Sequence, residues 1–416
     1  MTTDPHQSNR GQWLVLGAAF LGWMFDGVEM GIFPVVARPA LQELLGSEAD
    51  RLVGPWMSYI TALFLLGAAG GGVVFGWLGD KVGRVRAMTA SILVYSLFTG
   101  CCYFASQPWH LGFFRFFAAL GMGGEWSLGV ALVMECWPEN KRPMLAGAIG
   151  MASNFGYALI GLVTWCFPVS QGSWRWVMLA GAAPAVLGLA ILTLVPESRR
   201  WQASVQKSVG RKVRPILEVF GPELRRSTWL AIAFSSVALI GTWGSVQWLP
   251  LWADQMTHKK MEAAKGITMF TLSMGAVLGS FVGPWIGAIF GRRPAYFGLC
   301  TASLVSCALL YRTVSEFGAV FLVGAFLVGA ATASFYGWLP LYLPELFPTR
   351  VRATGQGLCY NAGRILAAAG ALTQGQLVAL FEGSYARASA VVTLVYLFGM
   401  ALIWLAKETK GCSLPD

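Results

Sequence analysis

Glu135 to Arg142 reads E-C-W-P-E-N-K-R, and 210 residues later Glu345 to Arg352 reads E-L-F-P-T-R-V-R. Glu, Pro and Arg stand at the same spacing in both, and each stretch follows an apolar run. A second pair agrees: Gly79 to Arg84 (G-D-K-V-G-R) and Gly287 to Arg292 (G-A-I-F-G-R) are 208 residues apart. Two matched pairs at nearly one offset indicate a duplicated unit, so the chain reads as two halves in parallel repeat.

Working outward, twelve apolar runs begin near Trp13, Pro55, Ala87, Trp109, Met144, Trp176, Thr228, Ile267, Tyr296, Phe317, Thr354 and Ser389. Each is about 20 residues long, enough for a helix to cross roughly 30 Å of hydrocarbon. With 56% hydrophobic and 12% charged residues, 18 Trp and 26 Phe, the chain lies outside the range of soluble domains. The expected fold is an all-α integral membrane protein of twelve spans in two six-helix bundles related by a pseudo-two-fold axis. Its parts are residues 1–195, a basic linker 196–227, and 228–416.

The net charge of +10 sits in small clusters between apolar runs, which sets orientation rather than nucleic-acid binding. An even number of spans puts both ends on one side. About 20 of the 30 Lys and Arg fall on that side and about 8 opposite, so both termini are expected in the cytoplasm. The polar leader Met1 to Gln12 has no small-residue cleavage site, and the first run reads as a retained helix. The expected location is a plasma or inner membrane, multi-pass. Most of the eight cysteines lie within or at the ends of apolar runs, without C-x-x-C spacing or a nearby His, and read as packing. Neither metal nor cofactor is expected, and the protein is expected to work as a monomer.

G-W-L-G-D-K-V-G-R-V-R-A-M, Gly76 to Met88, resembles the loop signature of the major facilitator superfamily and stands between helices two and three, as in that family. The resemblance implies a conformational latch built on Asp80, Gly83 and Arg84. Ala288 replaces the Asp in the second half, which leaves only the N-terminal latch complete. Glu125, Glu135, Arg142, Glu345 and Arg352 are further gate candidates. R-F-F-A-A-L-G-M-G-G-E-W (Arg115 to Trp126), L-G-W-M-F-D-G-V-E-M in helix one and V-P-E-S-R-R-W after helix six are most similar to the sialic acid:proton symporter group. Related monocarboxylate and aromatic-acid carriers share much of this. Glu29 stands where related carriers commonly have Asp, and Trp126 where sialate carriers have a smaller aromatic, so substrate identity stays open.

Charges inside the spans carry the functional information. A charge at the bilayer centre costs roughly 2.5 to 3.5 kcal/mol and is retained when paired, water-facing or functional. Asp26 lies about 20 Å from the cytoplasmic start of helix one, and Arg115 about 9 Å from the outer start of helix four. Those depths match, so an Asp26–Arg115 pair is allowed, and proton-coupled sugar porters have a similar one. Glu29, one turn from Asp26, is a second proton candidate or an outer gate. His6, His110 and His258 lie at the terminus, a helix entrance and a loop, leaving carboxylates to carry any proton. A static ion pair is the competing reading.

Arg364 stands about 15 Å into helix eleven, at the midplane where such carriers bind substrate. A guanidinium there suits a carboxylate, with bonding to backbone or an internal carboxylate as the alternative. Asn361 and Tyr360 share its face. Trp243, Gln247, Asn154, Tyr157 and Tyr336 complete the candidate pocket. Glu125 is placed about 6 Å from the cytoplasmic face, in a structural or gating role. The leading expectation is proton-coupled uptake of a small organic anion such as sialic acid or another carboxylate. A sugar or metabolite carrier of the same superfamily is the alternative. So is an exporter by antiport, which Ala146 to Val163 disfavours by lacking the Gly-Pro motif of such exporters. No nucleophile with base or phosphate-binding loop appears at membrane depth, which argues against an enzyme.

Overall fold

The computed structural model describes residues 9–167, 169, 171–207, 214–257, 261 and 264–415. His6, His258 and residues 208–213 of the expected linker lie outside them. The described chain is helical, in twelve membrane-length elements: α1 (Asn9–Leu45), α2 (Ala49–Val82), α3 (Arg84–Cys101), α4 (Pro108–Cys136), α5 (Arg142–Cys166), α6 (Trp174–Leu194), α7 (Arg225–Gly244), α8 (Ala264–Phe290), α9 (Arg292–Thr313), α10 (Ala319–Tyr342), α11 (Arg352–Leu380) and α12 (Tyr385–Leu405). Two of them, α6 and α12, are interrupted within the span. Short helices Arg199–Lys207 and Pro215–Val219 lie between α6 and α7.

Sequence sets the turns. Prolines open α4 and α5, where a missing N–H costs nothing. Gly83 (φ 111°) separates α2 from α3, and its repeat partner Gly291 (φ 99°) separates α8 from α9. Both occupy backbone conformations that a side chain strains.

Each half is held by the same close helix pair. In α2 a Cβ on Gly67 or Gly71 would stand 2.3 or 1.9 Å from the carbonyl oxygens of Phe116 or Leu120 in α4. In α8 a Cβ on Gly275 or Gly279 would stand 2.0 or 1.8 Å from those of Phe326 or Ala330 in α10. Glycines one turn apart let backbones touch, the usual device where lipid removes any hydrophobic drive between helices. The repeat seen in the loops therefore extends into the packing. Large apolar side chains such as Phe104, Val186, Val320 and Leu380 point outward, about three-quarters exposed. That is the arrangement a hydrocarbon solvent requires.

The halves meet along α2 with α11 and along α5 with α8 and α10. Gly72 abuts the Asn361 amide, Gly76 the Ala353 carbonyl, Gly147 the Phe281 carbonyl and Gly150 the Tyr336 carbonyl. These contacts run from mid-helix to the face that carries the α6–α7 linker. Toward the far face, Tyr157 of α5 faces Gln247 beyond the end of α7. The described conformer is sealed on the linker side.

Candidate functional site

Arg115 is buried in α4 with Phe64 and Phe33 beside its guanidinium, at 4.4 and 5.3 Å to the ring centroids. Its Nη1 donates to Glu29 Oε1 and its Nη2 to the Glu29 carbonyl at 3.4 Å. The expected Asp26–Arg115 pair is thus replaced by Glu29–Arg115. Counting residues along a helix places a group to about one turn, and Asp26 and Glu29 are one turn apart. The pair is almost fully enclosed, so each partner needs the other.

Asp26 faces Glu125 instead. The Glu125 carboxyl lies against Gly22, one turn before Asp26 on α1, where a Cβ would stand 1.6 Å from its Oε1. All four carboxyl oxygens are buried without a hydrogen-bond donor, and Nε1 of Trp23 and of Trp126, which follow Gly22 and Glu125 in sequence, are unpartnered too. The expected depth of Glu125 is corrected. Because α4 continues to Cys136, Glu125 is eleven residues, about 16 Å, from its linker end. It stands at mid-depth, apart from the linker-face gate.

Arg364 lies across from this pair on α11. Its Nη1 donates to Asn361 Oδ1 at 2.8 Å, and its guanidinium lies 5.1 Å from the Tyr360 ring centroid. Asn361 in turn donates to the Gly123 carbonyl of α4 at 3.1 Å and to Gly357 at 2.9 Å, so one amide bridges the halves and aims the arginine. Tyr360 stacks on Trp126 with centroids 4.2 Å apart at 21°, and Trp23 packs edge-on to Tyr360. The result is an aromatic floor beneath Arg364. Half-buried Tyr157 and Tyr336 face the Arg364 charge. Asn154 donates to Ser280 Oγ at 3.4 Å across the halves. Gln247 lies in a 3-10 turn past the end of α7, not on the helix with Trp243 as expected. Trp243 packs against the core. Such a site can grip a planar anion between a fixed cation and aromatic walls.

The gate candidates assemble on the linker face with clear two-fold order. Arg84 pairs with Asp80 at 2.9 Å and Glu135 at 3.1 Å and donates to the Gly79 carbonyl at 2.8 Å. Its counterpart Arg292 pairs with Glu345 at 2.7 Å and donates to the Gly287 carbonyl at 2.8 Å. Arg352 crosses the halves to Glu135 at 3.0 Å, and Arg142 reaches toward Glu345 at 3.9 Å. Asp80 adds a bond set that the second half lacks. It accepts from Ala353 N (3.3 Å), Thr354 N (2.8 Å) and Thr354 Oγ1 (2.6 Å) at the start of α11, where the helix dipole favours an anion. The positions related by the repeat are Ala288, Pro143 and Met144. The missing acceptor is therefore matched by a proline without N–H and a side chain without hydroxyl.

Sequence reasoning missed two acidic caps. Glu197 accepts from Arg84 N and Val85 N at 3.0 and 3.1 Å, and Glu408 from Arg292 N and Arg293 N at 2.8 and 3.0 Å. The neighbouring hydroxyls, Ser198 and Thr409, donate to Glu135 at 2.5 Å and Glu345 at 2.6 Å. The signal was E-S against E-T at an offset of 211. Burial pushes the Glu197 carboxyl up despite its donors. Burial acts likewise on Glu408, but three backbone amides and Arg292 outweigh it and hold that carboxyl down.

Comparison with known proteins agrees with this architecture. Residues 14–371 match the family model described as Major Facilitator Superfamily. The gentisate transporter of Corynebacterium glutamicum is 29% identical, over 96% of this chain and 89% of its own length. The 3-(3-hydroxy-phenyl)propionate transporter of Escherichia coli K12 is 27% identical, over 97% and 96%. A solved proton:xylose symporter with 6-bromo-6-deoxy-D-glucose bound superposes with a TM-score of 0.78 over 98% of both chains at 17% identity, a likeness of fold.

Proposed function

The chain belongs to the major facilitator superfamily, and from that premise we propose that it takes up a small organic anion by proton symport, through alternating access. It is a multi-pass membrane protein whose relatives include transporters of gentisate and 3-(3-hydroxy-phenyl)propionate. The observation that carries the reading is Arg364, buried at mid-depth, aimed by Asn361 and lying over the Trp126–Tyr360 stack. A guanidinium grips a carboxylate with two parallel bonds, and a flat aromatic floor suits a planar acid. An aromatic or conjugated carboxylate is the favoured substrate. A sialic acid is the second reading, favoured by the helix-one and helix-four motifs around Asp26 and Glu125.

In this reading the linker face is cytoplasmic, in an inner or plasma membrane, as the basic residues ask. The described conformer is sealed there. Residues 196–227 would connect the halves, and rocking of the bundles would break the Glu135–Arg352 and Asp80–Thr354 contacts. The test is uptake into proteoliposomes under an inward proton gradient. Radiolabelled gentisate is offered against 3-(3-hydroxyphenyl)propionate, N-acetylneuraminate and glucose as competitors. Gradient-driven uptake inhibited by aromatic acids supports the proposal. Inhibition by N-acetylneuraminate alone moves the substrate to sialate. Uptake indifferent to pH and inhibited by glucose but by none of the acids overturns the anion site.

A further inference from the structure

We propose that Asp26 and Glu125 hold one proton between them, and that this carboxyl pair, rather than the Glu29–Arg115 ion pair, is the carrier's proton-binding site. Glu29 is committed: it neutralises Arg115, and a proton on it would leave a buried guanidinium unpaired. Asp26 and Glu125 have no such partner. They are 0% and 2% exposed and none of their oxygens receives a donor. Two carboxylates facing each other in a buried site repel and do not both ionise. A single proton relieves this, because the protonated acid donates to the other and only one negative charge remains. Gly22 makes the approach possible, since its missing Cβ is the space Glu125 occupies.

The charged and titratable groups facing Asp26 are Glu125 from α4, Glu29 from α1, Arg364 and Tyr360 from α11, and Tyr95 from α3. Arg115, beyond Glu29, is held by that residue. The Tyr95 hydroxyl is buried without a partner and faces both acids. Arg364 links the pair to the substrate. An anion settling on Arg364 removes the positive charge that favours ionised Asp26, so substrate and proton enter together. This consequence for transport rests on the symport reading; the shared proton itself does not.

The experiment is infrared spectroscopy of the purified full-length carrier in nanodiscs at neutral pH without substrate, comparing H2O with D2O. Wild type is expected to show one deuterium-sensitive protonated-carboxyl band. Asp26→Asn and Glu125→Gln are each expected to abolish or move that same band. Gly22→Ala keeps both acids but drives the Glu125 carboxyl from its place, and is expected to move the band as well. Absence of the band in wild type overturns the proposal, whatever the variants do. So does a band untouched by Glu125→Gln or by Gly22→Ala. Proton-driven uptake is measured on the same preparation. A band without gradient-driven uptake removes the symport reading and leaves the pair; uptake without the band keeps symport and moves the proton elsewhere.

Discussion

Thr354 gives Asp80 two hydrogen bonds across the boundary between the halves, one from its backbone N–H at 2.8 Å and one from its hydroxyl at 2.6 Å. The first residues of α11 thus hold a carboxylate that belongs to α2, and in the alternating-access reading this contact breaks when the linker face opens. Replacing Thr354 by Val removes the hydroxyl and keeps the shape. A hydrogen bond to a buried charge is worth about 1.5–3 kcal/mol, so the closed-to-open ratio on this face should fall by roughly tenfold or more. Spin labels at exposed Lys81 and Lys407 would report it as a larger long-distance population. Unchanged distances would remove Asp80–Thr354 from the latch.

Glu29→Gln should be more damaging than its conservative look suggests. The substitution leaves Arg115 charged and buried without its counter-ion, at a cost of about 3–5 kcal/mol. Thermal stability in detergent should drop markedly. Asp26→Asn, which removes no ion-pair partner, should leave stability close to wild type. Equal losses in the two variants would contradict the assignment of Arg115 to Glu29.

Arg364→Lys keeps the charge but loses the planar fork that Asn361 orients. Binding of a carboxylate substrate should weaken by roughly 10- to 100-fold, or about 1.4–2.8 kcal/mol, measured by competition against labelled substrate. Retained affinity would place the anion elsewhere.

Packing makes a sharp contrast between two glycines. A methyl at Gly71 meets the Leu120 carbonyl oxygen at 1.9 Å, whereas nothing lies within 4 Å of one at Gly17. Gly71→Ala must separate α2 from α4 and should cost about 1–3 kcal/mol or more. Gly17→Ala should be neutral or stabilising by up to about 1 kcal/mol, since alanine favours helix. Melting temperatures of the two variants in one detergent check both statements.

Acid should loosen the start of α9. The Glu408 carboxyl is held below its ordinary value, so its stabilisation is present above that value and lost as pH falls through the folded one. Glu197, pushed up by burial, acts in the opposite sense: its contribution is present below the ordinary value and lost as pH rises through the folded one. The hydrogen-exchange protection factor of a peptide covering Arg292 and Arg293, taken relative to the intrinsic rate at each pH, should fall on acidification, and Glu408→Gln should flatten that dependence. An unaltered pH profile in the variant would discard Glu408 as the cap.

Much of this was legible in the chain itself. The matched Glu135–Arg142 and Glu345–Arg352 motifs foretold the two bundles, because a loop that must pin helix ends needs the same acids, prolines and arginines in both copies. Length and apolarity placed the spans, since hydrocarbon thickness is a constant. Asp26, Glu29, Arg115 and Arg364 stood out because a charge in lipid is too costly to be idle.

Sequence alone also determined the asymmetry at Ala288, where one half has lost an acceptor; that Pro143 stands where the matching donor would be emerged only with the Asp80 bonds. What only the tertiary structure decided was pairing: Arg115 takes Glu29, Asp26 meets Glu125, and Asn361 of one half reaches Gly123 of the other. Counting residues along a helix gives depth to within a turn but not which way a side chain points, nor how closely a glycine lets the next helix approach. Partner choice at fixed depth depends on azimuth and helix separation, and those are set by all the contacts together.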